Sequence, residues 1–242
     1  ELTNGPFLHK PFGTIPATVL TKTHCSGYCE DCSLRRSVQT VDAFEEGCTQ
    51  GQQGGETITY APTVPEKAVH LIRDPFDNIV ARMHLSIKKR IREGEWSAEE
   101  ATAAKSKDGF QSWCSIVDQK FDDTEIDSPL MDRRVRKLLN DLPCRGDWFR
   151  YVQWHNLAIE TTQRLNLPVH VLYYESYTKN YDETVTRLFD FLELPKVKEP
   201  LYFIPGKTYS DYFDIKQTRA AKRLVRALAT PDCWALLRPY FQ

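Results

Sequence analysis

Two short stretches carry residue types that could act on a charged substrate. Lys22-Thr23-His24 combines a cation with an imidazole, and Arg73-Asp74-Pro75 places a guanidinium immediately before a predicted helix. An imidazole that titrates near neutral pH can serve as a general base. An arginine beside a helix N-terminus adds a planar donor fork to a region of partial positive charge, which suits an oxyanion and most naturally a phosphate.

Both stretches also have a simpler interpretation. Arg73 could be a surface arginine in an ordinary strand–turn–helix, and the motif alone divides the two interpretations evenly. His24 could be a loop histidine that hydrogen-bonds to backbone, which is the commoner case for a histidine met in isolation.

The elements that would position Arg73 are a strand and a helix. Ala68–Ile72 is a short apolar run without alternation, which predicts a buried strand. Asp74 is predicted as the N-cap and Pro75 as the first helical residue, and the helix is expected to stop near Gly94. His24 follows a short predicted strand over residues 17–20.

Further along the chain the same alternation continues. A helix is predicted over 148–165, a buried strand over 169–173, a helix over 182–192 and a C-terminal helix over 215–228. Ser97 and Glu100 predict a capping box, and residues 33–65 are expected to form a loop. Repeated strand–helix units predict an α/β fold with a parallel sheet covered on both faces.

Composition excludes several classes of protein. The 242 residues are 41% hydrophobic and 27% charged, as in globular domains, and the formal net charge is −1. This balance argues against bulk binding to nucleic acid or to an anionic membrane. No run approaches the roughly 20 apolar residues of a membrane span. Local basic clusters are interpreted as solvated helix faces, at Lys88-Lys89-Arg90, Arg133-Arg134 and Lys222-Arg223.

The cysteines favour disulfides. Four of the seven fall within a short polar stretch: Cys25, Cys29, Cys32 and Cys48. Disulfides there would fit a secretory lumen. A zinc site using three of these cysteines with His24 or Cys48 is the alternative, although the spacing fits no standard zinc motif. Free thiols in a cytoplasmic protein are a third interpretation.

The segment LIRDPFDNIVAR resembles the part of the PAPS-dependent sulfotransferases that holds the 3′-phosphate of the nucleotide. The resemblance implies that Arg73 contacts that phosphate. The family usually carries a serine eight residues after the arginine, and Ala81 stands there, as it does in the sulfotransferase domains of WSC-domain proteins, the branch this chain resembles most. Whether Arg82 replaces the lost hydroxyl donor stays open.

Five other residues acquire roles through the same resemblance. TKTH resembles the segment in which the family's histidine removes the proton of the acceptor hydroxyl, so His24 is the implied general base and Lys22 its electrostatic helper. VHVLYYESY resembles the strand and Tyr-Glu block near the adenine, which makes Tyr174 a nucleotide contact and Glu175 a structural hydrogen-bond acceptor. Lys207, in a late loop, is implied to approach the 3′-phosphate.

The resemblance implies a doubly wound parallel sheet in a three-layer α/β/α, P-loop-like sulfotransferase fold that is N-terminally incomplete. The family's phosphosulfate-binding loop is missing, so the chain is expected to be a fragment, or else a degenerate member, that binds PAPS poorly. One domain over 1–242 is expected, with a Cys-rich loop insertion over 25–65 and a mainly helical insertion over 94–146.

The implied activity is sulfonate transfer from PAPS to a hydroxyl on a glycan, small alcohol or tyrosine, without a metal and without nucleic acid. A Golgi lumen is the expected location and the cytoplasm the alternative, and a membrane anchor outside this chain stays open. The alternatives in function are a catalytically impaired member that binds a nucleotide or sulfated ligand, and a Cys-rich or zinc-binding interaction domain.

Overall fold

A computed structural model describes residues 22–25, 40–53, 56–59, 61–123, 132–199, 203–204 and 208–242. The predicted strand over 17–20 therefore lies outside the described residues. Ten α-helices occur in the described part, and four strands accompany them. The helices are α1 (Val41–Thr49), α2 (Pro75–Arg92), α3 (Ala98–Ala104), α4 (Lys107–Asp123), α5 (Arg133–Leu139), α6 (Arg145–Arg164), α7 (Ser176–Lys179), α8 (Tyr181–Leu192), α9 (Ile215–Leu228) and α10 (Pro231–Leu237).

The strands form two separate pairs. β1 (Gln50–Gln53) and β2 (Glu56–Thr59) make an antiparallel hairpin, whereas β3 (Ala68–Ile72) and β4 (Val169–Tyr173) pair in parallel. The parallel pair runs in continuous register from Ala68 opposite Val169 to Ile72 opposite Tyr173. An α/β arrangement is therefore present, but the described residues are mostly helical and contain only two parallel strands of the doubly wound sheet that the sequence predicts.

Helices cover both faces of this parallel pair. On one face, His70 of β3 contacts His155 of α6. On the other face, His170 of β4 stacks on Phe191 of α8 with 5.3 Å between ring centroids. Adjacent residues of a strand point to opposite faces, so the His70–Val171 pair turns to α6 and the Val69–His170 pair turns to α8. Helices thus lie on both faces of the pair, but the prediction of two buried strands is only partly correct, since Leu71 is 50% exposed and Val169 is 38% exposed.

The long helix α6 lies at the centre of the core. It contacts α1, α2, α4, α9 and α10. Trp148 and Phe149 near its start are fully buried, and Phe76 and Phe213 pack edge-on against the Trp148 ring. Other fully buried side chains of this core come from α2, α4, α5, α9 and α10: Ile79, Val80, Met83, Phe110, Leu139, Leu224, Val225 and Leu237.

The start of α6 depends on a residue from another helix. Its N-cap position is Cys144, which has a φ of 57° and makes no side-chain cap. Asp118 of α4 takes over that role: its carboxylate accepts hydrogen bonds from the backbone N–H groups of Cys144 (3.0 Å) and Arg145 (2.6 Å). Burial raises the pKa of Asp118 to about 6, although Arg145 and the two hydrogen bonds oppose the change.

The prediction of a loop over 33–65 is wrong over residues 41–53 and 56–59, while residues 33–39 lie outside the described residues. Thr40 caps α1, and the hairpin β1–β2 follows. The helix is held by contacts that are distant in sequence: Phe44 is buried against Trp154 of α6, and Arg164 forms short ion pairs with Asp42 and Glu45. A short, polar segment of this kind has little helical stability of its own, so its sequence resembles a loop.

Candidate functional site

The predicted strand–turn–helix around Arg73 is formed by the end of β3 and the start of α2. Asp74 is the N-cap, and its carboxylate accepts hydrogen bonds from the N–H groups of Phe76 (2.8 Å) and Asp77 (3.3 Å). Two of the backbone donors that the sequence offered to an anion are therefore already occupied. Burial, then Asp77, raises the pKa of Asp74 to about 6, while these hydrogen bonds act in the opposite direction.

Glu175 holds the ends of the two parallel strands together. Its carboxylate accepts a hydrogen bond from the backbone N–H of Asp74 (2.8 Å) and another from the hydroxyl of Tyr240 (2.6 Å). The backbone N–H of Tyr174 also donates to the carbonyl of Ile72 (2.8 Å). The predicted role of Glu175 as a structural acceptor is thus confirmed, and Arg73 and Tyr174 are brought side by side.

The guanidinium of Arg73 lies over the ring of Tyr174, with 4.8 Å from its central carbon to the ring centroid. The Nε atom of Arg73 is buried and makes no hydrogen bond within the part of the chain that the structure describes. Its backbone carbonyl accepts from the hydroxyl of Tyr151 (2.6 Å), which anchors the turn to α6. A buried guanidinium donor without an acceptor can bind an anion without first breaking a bond.

The far side of this site is formed by Asp77, Tyr209 and His84. The Asp77 carboxylate accepts from the backbone N–H of Tyr209 (2.7 Å), and the Tyr209 hydroxyl lies 3.0 Å from Nδ1 of His84. Burial raises the pKa of Asp77, while the hydrogen bond from Tyr209 and then the charge of Arg73 lower it. Lys207 lies outside the described residues, so its predicted contact with a phosphate stays a prediction.

Ala81 and Arg82 lie in the second turn of α2. Arg82 forms an ion pair with Asp147 of α6 (3.2 Å), and Arg150 approaches the same carboxylate (3.9 Å). Asp147 is buried, so this contact lies inside the protein. Arg82 therefore has an internal partner, and a role in replacing the hydroxyl absent at Ala81 stays a prediction.

His24 contacts the middle of α6, and Lys22 lies two residues before His24. The carbonyl of His24 accepts a hydrogen bond from Nε1 of Trp154 (2.9 Å). The next residue, Cys25, forms a disulfide with Cys48 at the end of α1 and packs with Phe44 and Leu157. Burial, and secondly Lys22, lowers the pKa of His24, which favours the neutral imidazole that a general base requires.

The cysteine prediction is partly confirmed. Cys25 and Cys48 form a disulfide, so neither thiolate is available for the alternative zinc site. A second disulfide, which the sequence did not indicate, joins Cys114 of α4 to Cys144 at the start of α6. Cys233 is a buried free thiol whose pKa is raised to about 12 by burial. Among the described residues, no group of three or more His, Cys, Asp or Glu side chains is arranged to hold a metal.

Sequence reasoning missed a buried histidine pair between β3 and α6. Nε2 of His70 lies 2.7 Å from Nδ1 of His155, and the rings stack with 4.9 Å between centroids. Tyr151 and Trp154 enclose His155 edge-on. Burial lowers the pKa of His70 to about 4, and burial followed by the charge of His70 lowers that of His155. The pair is therefore a neutral hydrogen bond that joins the Arg73 strand to α6.

The His70–His155 pair is expected to lower the free energy of unfolding as the pH falls. Replacing both histidines with leucine should remove this contribution. His70 takes up a proton near pH 6.5 in the unfolded chain and only near 4 in the folded chain, and the pKa of His155 is lowered in the same direction, so the pair contributes stability above 6.5 that falls as the pH drops toward 4. Removing both partners leaves neither polar group unpaired. Urea unfolding at several pH values from 7 to about 4 would show this as a difference in unfolding free energy, His70→Leu/His155→Leu minus wild type, that rises as the pH falls from 6.5 toward 4.

The comparison must be made as the difference between variant and wild type. Asp74 and Asp118 act in the opposite sense, because a raised carboxyl pKa makes stability fall as pH rises from about 4 to about 6. Those contributions are common to both proteins and cancel in the difference. Parallel profiles for variant and wild type would contradict a neutral buried pair.

In the described part of the chain, no helix is both long and apolar enough to cross a membrane. Comparison with curated proteins and with solved structures gave no significant match. A family model described as "Sulfotransferase domain" matches residues 63–220, which is more than half of the chain. The matched region contains the Arg73 turn, both parallel strands and the Tyr174-Glu175 block. The predicted sulfotransferase resemblance is thus confirmed: the chain belongs to the sulfotransferase domain family.

Proposed function

We propose that the protein transfers a sulfonate group from PAPS to a hydroxyl acceptor. The observation that carries this proposal is the Arg73 guanidinium, which stacks on Tyr174 with a buried, unpaired Nε at the start of α2. An anion at this point would complete the hydrogen bonding of Arg73. The 3′-phosphate of the nucleotide is the proposed anion, with the adenosine near Tyr174.

His24 is the proposed general base. It would take the proton of the acceptor hydroxyl as the oxygen attacks sulfur, while the bond from sulfur to the 5′-phosphate oxygen breaks and adenosine 3′,5′-bisphosphate leaves. Lys22 would offset the negative charge that grows on the leaving phosphate. The lowered pKa of His24 supports this role, since the base is then neutral at physiological pH.

Five wider features belong to the same proposal: the sheet, the branch of the family, the location, the attachment to the membrane and the acceptor. The β3–β4 pair would be part of the doubly wound, three-layer sheet that the resemblance implies, and the nearest branch would be that of the WSC-domain proteins. The two disulfides support a Golgi lumen as the location. Attachment to the membrane would come from a segment outside this chain. The acceptor would be a glycan, a small alcohol or a tyrosine.

A second candidate is a member of the family that binds the nucleotide without catalysis. Its support is that two predicted phosphate contacts are weakened: Ala81 carries no hydroxyl, and Arg82 is ion-paired with Asp147. Binding of adenosine 3′,5′-bisphosphate without sulfonate transfer from PAPS to any acceptor class would favour this candidate over the enzyme.

Sulfonate transfer from labelled PAPS tests the proposed enzyme. His24→Gln is expected to lower kcat about 10²-fold to 10⁴-fold, the usual contribution of a general base, with unchanged affinity for adenosine 3′,5′-bisphosphate. His170→Gln is the matched control, because His170 stacks on Phe191 on the opposite face of the sheet. Equal turnover by His24→Gln and wild type would remove His24 from the mechanism.

A further inference from the structure

Five of the exposed residues of α9 are cations, and its other exposed residues, Ile215, Thr218 and Ala227, are uncharged. Ala220, Ala221, Leu224 and Val225 form its buried face. At about 100° per residue, the five cations of the helix fall within about 120° of its circumference on the opposite side. All five are exposed: Lys216, Arg219, Lys222, Arg223 and Arg226. Within the helix itself there is no acidic residue, and Asp214 is only its N-cap.

Helix α5 enlarges this surface. It packs against α9 in the tertiary structure, although the two helices are far apart in sequence. Arg133, Arg134 and Lys137 of α5 are exposed. Asp141 follows α5 and forms ion pairs with two cations of α9: its carboxylate lies 3.7 Å from Lys216 and 3.6 Å from Arg223. We call the exposed cations of the two helices the α5–α9 basic surface.

This arrangement is not explained by solvation alone. A solvated helix face commonly alternates acidic and basic residues, which then pair three or four positions apart. On α9 the same spacings join like charges, as at Arg219 and Arg223 or at Lys222 and Arg226, and such pairs destabilise a helix. On α5 and α9 the eight exposed cations outnumber the neighbouring acidic residues Asp132, Asp141 and Asp214, although the formal net charge of the whole chain is −1. A concentrated surface of one sign attracts a ligand of the opposite sign.

The surface begins beside the proposed active site. Phe213 immediately precedes the cap of α9, and its ring packs against Phe76 in the first turn of α2 with 5.0 Å between centroids. Lys216 lies one turn beyond this contact. An extended ligand that lies along α9 could therefore reach the Arg73 turn, whereas a compact anion would occupy only part of the row of cations.

The disulfides bear on which extended polyanion could bind, because they indicate an oxidising compartment. Nucleic acid is absent from the oxidising compartments in which disulfides persist, and the negative surface of cell membranes is that of the cytoplasmic leaflet. We propose that the α5–α9 basic surface binds a linear glycan that already carries sulfate or carboxylate groups, and that this glycan is the acceptor. The inference rests on the proposed sulfotransferase activity for the fate of the glycan, but binding to the surface does not involve Arg73.

Fluorescence anisotropy with a labelled, heparin-derived octasaccharide tests the surface on the disulfide-intact chain. Removing three charges in Arg219→Gln/Lys222→Gln/Arg226→Gln is expected to weaken binding about tenfold or more, since each exposed contact contributes modestly. Lys88→Gln/Lys107→Gln/Lys198→Gln is the matched control, with three exposed cations removed elsewhere. Wild-type affinity should also fall as salt is raised. Equal weakening by both triple variants, or no binding at low salt, would overturn the proposal.

Two further measurements test the choice of ligand and the independence of the surface from the nucleotide site. If an oligonucleotide of equal charge or phosphatidylserine vesicles bound more tightly than the octasaccharide, the choice of a glycan as the ligand would be overturned. Arg73→Ala should lose affinity for adenosine 3′,5′-bisphosphate and keep affinity for the octasaccharide. Nucleotide binding without octasaccharide binding would overturn the surface and leave the proposed function standing. Octasaccharide binding without nucleotide binding would leave the surface standing and overturn the proposed function.

Discussion

Replacing Arg73 with alanine is expected to weaken binding of adenosine 3′,5′-bisphosphate about 100-fold or more. Truncating one partner of a buried, charged contact typically costs about 2–5 kcal/mol, and each 1.4 kcal/mol is about tenfold in affinity. Arg73 is placed for such a contact because its Nε is buried without an acceptor and its guanidinium is held over Tyr174. Isothermal titration calorimetry with the bisphosphate measures the change directly.

The ligand-free stability of the same variant separates a binding role from a structural one. Arg73→Ala removes the contact of the guanidinium with Tyr174 and the charge near Asp77 but no hydrogen bond of Nε, so the thermal unfolding temperature without ligand should fall by only a few degrees. Arg73→Lys should be intermediate in affinity, since it keeps the charge and loses the planar fork. Arg92→Ala, at the exposed end of α2, is the matched control. Wild-type affinity in Arg73→Ala would place the nucleotide elsewhere.

Removing the Cys114–Cys144 disulfide is expected to cause the largest loss of stability. The bond closes a segment of 30 residues, for which the chain-entropy estimate is about 3–4 kcal/mol. Both sulfurs lie in the main core, so Cys114→Ala/Cys144→Ala also leaves a small cavity. The bond further fixes Cys144 where Asp118 caps α6. Urea unfolding of the double variant and the wild type gives the difference in unfolding free energy.

The Cys25–Cys48 disulfide provides the matched comparison. Its sequence separation of 23 gives nearly the same entropic term, but it lies in a small cluster with Phe44 and Leu157 rather than in the main core. Cys25→Ala/Cys48→Ala should therefore cost less stability than the first double variant. It should also reduce sulfonate transfer more, because His24 precedes Cys25. A greater loss of stability from Cys25→Ala/Cys48→Ala would contradict this account of α6.

Several elements were readable from sequence because the interactions that define them are local. Asp74 and Pro75 start α2 within one turn, and Ser97 and Glu100 form the expected capping box. The parallel strand β4 has the bounds that its apolar run predicts. The prediction that α2 stops near Gly94 is also confirmed: the helix ends at Arg92, and the φ of 74° at Gly94 suits a residue without a side chain.

Other features depend on contacts between distant segments. Asp118 caps a helix that begins 27 residues later, and nothing in its own neighbourhood indicates that role. Helix α1 was missed because Phe44 and the Arg164 ion pairs stabilise it from α6. The second disulfide joins cysteines that have no shared motif. Each of these contacts contributes only after the chain has folded, so no short window of sequence contains it.

The sequence by itself therefore determined the family, the strand–turn–helix that carries Arg73, and the Tyr174-Glu175 block, since these are encoded in short contiguous motifs. Tertiary structure alone decided how these parts cooperate. Parallel pairing of β3 with β4 brings Arg73 onto Tyr174, and Glu175 joins both strand ends to Tyr240. Packing of α5 on α9 likewise joins two basic clusters that look like unrelated solvated faces in the sequence. A local motif specifies backbone conformation, whereas the orientation and partners of a side chain depend on which distant segments pack around it.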